Sequence, residues 1–283
     1  MSYEFGAKRA FRKFAAAALL ILLVGLGFLG WMYREARLDP VVRIADLEVE
    51  RLGSPVRLVL ISDIHIAGPD MPPDRLQHIV GQINRLKPDL VLIAGDFVSD
   101  KRTRTRSYPL ADAVAPLRGL NAKFGTVAVL GNHDHWRDAA EARRELKRVG
   151  IRLLDNDATR VGPLTIAGVD DAYTGHDRVD QTIERMRKLG QPAILLSHTP
   201  DVFPKLPSDI FLTLAGHTHC GQIRLPFIGA VSTMSEYGER YACGRVDEKG
   251  KTLIVSAGLG TSILPLRLGA PPDLWVVNLR PRN

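Results

Sequence analysis

Five times along the chain a short, nearly continuous apolar run ends in a small residue followed by Asp, Asn or His. Val56–Ile61 leads into Ser62-Asp63-Ile64-His65, and Leu90–Ala94 into Gly95-Asp96. Residues 126–130 lead into Gly131-Asn132-His133-Asp134, Ala193–Leu196 into Ser197-His198, and 210–215 into Gly216-His217-Thr218-His219. Runs of β-prone apolar residues closed by turn formers predict buried strands. Amphipathic spacing between them predicts helices over 74–86, 111–120, 138–149 and 179–189, and an alternating run over 41–50 predicts a further strand. Strands alternating with helices give an α/β sheet covered by helices. Sites in such sheets form beyond the carboxyl ends of the strands, so all five polar clusters are expected along that one edge.

The amino terminus follows a different pattern. Residues 14–33 carry no charge and at ~1.5 Å per residue span ~30 Å, enough for a bilayer core. Lys8, Arg9, Arg12 and Lys13 precede the span, and Trp31 and Tyr33 sit where interfacial aromatics belong. No small-x-small cleavage site follows, so an uncleaved anchor is expected in place of a signal peptide. Gly25, Gly27 and Gly30 match a dinucleotide-binding spacing but follow no strand, and read as membrane-helix glycines. Gly244 to Thr252 is a near-miss to a phosphate loop and reads as a hairpin turn. The expected organisation is a basic tail at 1–13, an anchor at 14–33, a linker at 34–44 and one folded domain at 45–283. Basic residues are slightly more numerous before the span than after it, and Lys8-Arg9-Ala10-Phe11-Arg12-Lys13 resembles a twin-arginine export signal with Lys in the first place. Both features predict a single-pass protein of the cell inner membrane with its domain on the extracytoplasmic side.

Charge and cysteines narrow the function. The net charge is +7, but residues 1–43 hold seven Lys/Arg against three Asp/Glu, so the domain is only mildly basic and nucleic acid is not an expected partner. Cys220 and Cys243 lack metal-finger spacing, which excludes a Cys-rich zinc site; they could form one disulfide in an oxidising compartment. No G-x-S-x-G elbow occurs, so a serine hydrolase is not supported.

Asp63/His65 and His217/His219 are i, i+2 pairs, which extended backbone would aim to one side. Carboxylates mixed with imidazoles suit zinc or a first-row transition metal better than Mg²⁺ or Ca²⁺. Seven candidate ligands, Asp63, His65, Asp96, Asn132, His198, His217 and His219, exceed what one ion needs, whereas two ions sharing a carboxylate would use them all. His78 and His176, each isolated, read as ordinary hydrogen-bonded histidines.

In order, Asp63-x-His65, Gly95-Asp96, Gly131-Asn132-His133-Asp134, His198 and Gly216-His217-x-His219 resemble the calcineurin-like metallophosphoesterase superfamily over nearly the whole soluble part. The tail Gly258-Leu259-Gly260-Thr261-Ser262…Pro265-Leu266-Arg267…Pro271-Pro272, with the anchor, looks like a membrane-associated bacterial branch. Some members of that branch are phosphodiesterases, and others cleave the lipid A precursor UDP-2,3-diacylglucosamine. The resemblance implies a four-layer α-β-β-α sandwich behind one transmembrane helix. It implies Asp63, His65 and His219 on one metal, Asn132, His198 and His217 on the other, Asp96 bridging, and His133 as the catalytic histidine. The ions would be two divalent metals per chain, drawn from Mn, Zn, Fe and Co. In the protein-phosphatase branch an Asp three residues after the bridging one orients the catalytic histidine. Ser99 stands there in this chain, so that Asp134, Asp100 or no residue at all takes that place, which puts the His-Asp pairing in question but not the metal site.

The expected activity is hydrolysis of a phosphoester, foremost a phosphodiester, in a membrane-associated or envelope substrate such as a phospholipid or lipid-linked nucleotide. A bridging hydroxide would attack phosphorus and His133 would assist the leaving oxygen. The loop 101–106, with Arg102 and Arg104, could hold an anionic headgroup or dock on acidic lipid, and Arg267 could grip phosphate. The rival readings are a non-catalytic metal-binding membrane scaffold, which a lost ligand or lost His133 would favour, and a nuclease. Neither loss occurs, and the small positive balance of the domain opposes the nuclease. The sequence points to no protein partner.

Overall fold

The apolar runs become strands of two six-stranded mixed sheets in the computed structural model, which describes residues 2–282. In chain order the strands are β1 (Val41–Val49), β2 (Val56–Ile61), β3 (Leu90–Ala94), β4 (Thr126–Val129), β5 (Arg152–Leu153), β6 (Asp157–Val161) and β7 (Leu164–Gly168). They continue as β8 (Ala193–Leu196), β9 (Leu212–Ala215), β10 (Arg224–Leu225), β11 (Gly229–Ala230), β12 (Gly244–Glu248), β13 (Lys251–Val255) and β14 (Asp273–Pro281). The first sheet runs β1-β14-β2-β3-β4-β5 and the second β12-β13-β9-β8-β7-β6, with β10 and β11 forming a separate hairpin.

Successive side chains of a strand face opposite ways, so a strand buried on both faces must be apolar throughout. β2 shows the consequence. Leu58 and Leu60 pack between the sheets with Leu92, Ile194, Leu214 and Ile254, while Val59 and Ile61 face the outer helices. Those helices are α2 (Pro73–Arg85), α3 (Leu110–Val114) and α4 (Asn132–Arg148), and α5 (Val179–Leu189) covers the second sheet through Ile183 and Met186. α2 starts with Pro at its first position and buries Leu76, Ile79, Val80 and Ile83, the i, i+3, i+4, i+7 face of an amphipathic helix. The layers are helix, sheet, sheet, helix, as the four-layer expectation had it. Gly244 to Thr252 lies in the β12–β13 hairpin, also as expected.

Three expectations change. The five polar clusters do not share one sheet edge: β2, β3 and β4 end in the first sheet and β8 and β9 in the second, and the carboxyl ends of both converge. α4 begins at Asn132 instead of 138, with a break at Asp138 (φ −175°, ψ 94°). The stretch expected as a linker, 34–44, is mostly ordered structure. The first helix, α1, spans Ser2–Ala36, and β1 pairs with β14 from Val41 onward.

Within α1, Phe11–Ala36 is long and apolar enough to cross a bilayer, and its flanks are exposed as far as Trp31. A Cβ at Gly25, Gly27 or Gly30 would meet nothing within 4 Å. The end of the helix instead packs on the domain. Met32, Glu35 and Ala36 are buried, the Met32 carbonyl accepts from the Arg267 N–H (3.1 Å), and Glu35 Oε1 accepts from the Ala270 N–H (3.2 Å). Cys220 and Cys243 are joined as a disulfide with a Cα–Cα separation of 4.6 Å.

Candidate metal centre

The polar residues that follow the strands do not continue in extended backbone. Asp63, His65, Asp96, His217 and His219 have φ of 49°, 48°, 57°, 72° and 51°. The i, i+2 argument for side chains aimed together is therefore corrected: these pairs converge through left-handed turns. Such a conformation costs a non-glycine residue of order 1–3 kcal/mol and persists where the surroundings over-determine it. Here backbone bonds lock it. The Asp63 N–H donates to the Gly95 carbonyl (3.0 Å), the His65 N–H to Asp96 (3.0 Å), and the Gly260 N–H to Asp63 (2.8 Å). Two glycines let the loops close on the carboxylates. A Cβ at Gly131 would lie 2.3 Å from Asp96 Oδ1, and one at Gly216 would lie 2.5 Å from Asp63 Oδ2.

All seven candidate ligands and His133 meet at this junction. His65 Nε2 is 3.1 Å from His219 Nε2, which is 3.5 Å from Asp63 Oδ1. On the other side His198 Nε2 is 3.0 Å from Asn132 Oδ1 and 3.1 Å from His217 Nδ1. Asp96 Oδ2 lies between the two groups, 3.4 Å from His65 Nε2 and 3.3 Å from His198 Nε2. The outward nitrogens fix two of the rings: His198 Nδ1 donates to the Ala94 carbonyl (2.7 Å) and His217 Nε2 to Met234 (3.1 Å). The nitrogen His217 turns inward is then a lone-pair donor, the arrangement metal-ligating histidines use, and that of His198 faces Asp96, where a cation would take the place of its proton.

Charge follows the same logic. Burial holds His65 and His219 neutral, well below the usual histidine range, and lowers His217 to about 3. Asp96 is ionised: burial opposes the charge, but His198 and His133 outweigh it and hold the carboxyl well below its usual range. Burial and the neighbouring Asp96 raise Asp63 to about 6 and Asp134 to about 7. His198 goes the other way: burial opposes its charge, but Asp96 and Asp63 raise it well above the usual histidine range. Three neutral imidazoles and one protonated imidazole crowded on buried carboxylates form a donor set in which a divalent cation would displace that proton, so these residues fit the metals that the sequence implies.

His133 stands apart by its partner. Its Nδ1 is hydrogen-bonded to Asp100 Oδ1, and its Nε2 points inward, 4.0 Å from Asp96 Oδ2. Of the two carboxylates left open by Ser99, the structure selects Asp100. Asp134 is buried elsewhere, accepting the backbone N–H groups of Asp96 (2.9 Å), Phe97 (2.9 Å) and Gly131 (3.0 Å), which holds the Asp96 loop to the first turn of α4. Asp100→Asn keeps the shape but removes the negative charge bonded to His133 Nδ1, which holds the ring in place. It is expected to lower turnover about 10-fold, less than removal of the His133 ring itself would, with melting temperature unchanged; steady-state kinetics with a thermal melt check this.

A cavity of about 330 Å³ opens on this junction, lined by Asp96, His133 and His217 on one side and by Ile223, Val231, Met234, Ile263 and Leu264 on the other. Trp136 also lines it, edge-on to His133 at 4.9 Å, and Tyr173 packs on His217 at 4.7 Å. Neither aromatic is signalled in the sequence, since both follow no strand and sit in no metal-ligand spacing.

The expected substrate contacts are not brought into the cavity. Arg102 and Arg104 lie on an exposed loop outside its wall, and Arg104 turns back on its own loop, donating to the Asp100 (3.1 Å) and Lys101 (2.9 Å) carbonyls. Arg267 is corrected most plainly. It is fully buried behind His219, where its guanidinium donates to the carbonyls of Ala257 (2.7 Å), Gly258 (3.1 Å), Gly260 (2.6 Å) and Ala270 (2.7 Å). Burial lowers it to about 10, still cationic at neutral pH. It clamps the turn behind Asp63 and does not grip phosphate. Arg267→Met leaves several buried carbonyls unpaired and is expected to destabilise by ~2–4 kcal/mol, measured by denaturant unfolding. His78 is exposed on α2 and His176 stacks on His135, both away from the junction.

The chain is similar to several known proteins. An uncharacterized metallophosphoesterase of Helicobacter pylori is 28% identical over 98% of this chain and 73% of its own length. The metallophosphoesterase YkuE of Bacillus subtilis is 33% identical over 80% of each chain. A zebrafish transmembrane protein with a metallophosphoesterase domain is 31% identical over 85% of this chain and 57% of its own. The profile of the calcineurin-like phosphoesterases matches residues 56–222, more than half of the chain and a span that includes Asp63 to His219. With the profile match and the Bacillus relative agreeing, the chain belongs to the calcineurin-like phosphoesterase family, the metallophosphoesterases.

Proposed function

We propose that the chain is a two-metal phosphodiesterase working at the membrane that holds α1, with Asp96 common to both ions. The supporting observation is the position of Asp96 Oδ2 between the two donor groups, 3.4 Å from His65 and 3.3 Å from His198. Asp63, His65 and His219 would hold one ion, and Asn132, His198 and His217 the other; Mn, Zn, Fe or Co suits these nitrogen and oxygen donors. When bound, such a pair supplies Lewis acidity at the phosphoryl group and a water acidified towards pKa ~7. His133, steadied through Nδ1 by Asp100, presents Nε2 to the cavity and donates a proton to the departing oxygen.

The cavity wall favours a diester. Among the described residues no Lys or Arg lines it, so a dianionic monoester finds no side-chain cation there. A diester carries one charge and brings a second substituent that Ile223, Met234 and Leu264 can cover. A phospholipid has that form; a lipid-linked sugar nucleotide of the UDP-2,3-diacylglucosamine class is the pyrophosphate counterpart, with each phosphorus likewise carrying one charge and two substituents. The exposed apolar helix supports a single-pass tether, and the Cys220–Cys243 disulfide supports an oxidising, extracytoplasmic setting for the domain. The test compares bis-p-nitrophenyl phosphate with p-nitrophenyl phosphate, using the full chain in detergent with Mn²⁺. Faster, chelator-sensitive cleavage of the diester supports the reading. Equal or faster cleavage of the monoester overturns the diester preference.

A further inference from the structure

We propose that the domain docks on the bilayer carrying α1 through an apolar crown at the cavity mouth, formed by the β10–β11 hairpin and the loop 262–266. The inference rests on the proposed function only in taking this cavity as the place where substrate is turned over. Its substrate would then be an ester at the headgroup level of that same bilayer.

The crown is a cluster, not scattered exposure. Phe227, Ile228 and Val231 of the hairpin and Ile263 and Leu264 of the loop are all exposed, and Val231, Ile263 and Leu264 also line the cavity. Single exposed apolar side chains are ordinary, but a contiguous group rimming a concave site marks an interaction surface. Gln222 joins the two parts: its Oε1 accepts the Ser262 N–H (2.9 Å) and its Nε2 donates to the Leu264 carbonyl (3.0 Å).

The membrane helix reaches the same segment. The hairpin is fixed to residue 268, with the Arg224 N–H donating to the Leu268 carbonyl (2.8 Å) and the Leu268 N–H to that of Gln222 (3.0 Å). One residue earlier, the Arg267 N–H donates to the carbonyl of Met32 in the last turn of α1 (3.1 Å). Trp31, exposed at the position an interfacial aromatic takes, directly precedes that turn. Crown and helix exit are therefore built on one short stretch of chain, which makes the bilayer entered by α1 the occupant closest to hand. Charge agrees. Thr103 Oγ1 donates to the Ile263 carbonyl (2.6 Å), which sets the basic loop against the crown with Arg102 and Arg106 exposed. Apolar tips flanked by arginines are the composition of interfacial binding to anionic lipid. This gives Arg102 a lipid phosphate outside the cavity in place of the substrate phosphate inside it.

The native cysteines are joined, so one added cysteine can be labelled selectively. Ile228→Cys, Ile263→Cys and, on the exposed face of α5, Glu184→Cys would each carry an environment-sensitive fluorophore. The labelled full chains are placed in phosphatidylcholine nanodiscs containing some phosphatidylglycerol. The expected result is blue-shifted emission at 228 and 263, lost when nitroxide-labelled lipid is included, with neither change at 184. Emission and quenching at 228 and 263 equal to those at 184 overturn the proposal. A blue shift without nitroxide quenching also overturns it, since the crown would then be covered by protein, such as a second copy of the chain. No turnover enters the readout, so failure here is separate from failure of the phosphodiesterase reading.

Discussion

Asp96→Asn is expected to lower phosphoester hydrolysis by ~10³-fold or more, the scale of losing a preorganised charged group at a reacting centre. The substitution keeps the shape and one interaction: Oδ1 still accepts the His133 N–H, now at 2.9 Å. What changes is the atom between the two histidine groups. Oδ2, an acceptor 3.4 Å from His65 and 3.3 Å from His198, becomes an amide NH₂ that donates toward ring nitrogens and carries no charge. Asp96 is buried and held ionised by His198 and His133 against the cost of burial, so the lost charge is the one the site is built around. Bound metal, measured by elemental analysis, should fall together with rate, while the thermal melt shows a folded chain. Near-native turnover in Asp96→Asn would remove Asp96 from the centre of the mechanism.

His133→Ala is expected to lower turnover by ~10²–10⁴-fold, the usual worth of a positioned proton donor, with metal content nearly unchanged. The geometry separates this residue from the candidate ligands by degree. His133 Nε2 is 4.0 Å from Asp96 Oδ2, against 3.3–3.4 Å for His198 and His65, and its other nitrogen is committed to Asp100. Its donor atom still lies within 4.8 Å of those of His65 and Asp96, so a role as ligand has a specific signature. Loss of metal in step with activity would make it a ligand. Loss of activity alone makes it the proton donor.

Strand positions, and the convergence of the candidate ligands that follow them, were legible in the sequence for one physical reason. A strand buried on both faces must be apolar, and the chain must turn at its end, so each cluster is announced by a Gly or Ser. The positive φ values at Asp63 and His217 were not legible, because bonds to distant loops impose them on residues that would otherwise continue the strand. The start of α4 was hidden for a related reason. Asn132-His133-Asp134-His135-Trp136-Arg137 has no helical apolar period, and the turn is held by Asp134 bonding backbone of the β3 loop. Asp100 and Asp134 could not be told apart as partners of His133 until the chain path separated them. Arg267 was misread because a charged residue in a Pro- and Gly-rich tail usually faces solvent; here four carbonyls from two loop turns surround it.

The most direct test of the two-metal account is a titration of the metal-stripped full chain with Mn²⁺, following bound Mn and bis-p-nitrophenyl phosphate hydrolysis in the same samples. The account predicts no hydrolysis without metal and full activity only as the second ion per chain binds. Full activity in the stripped chain, or a plateau reached with one Mn per chain, would contradict it.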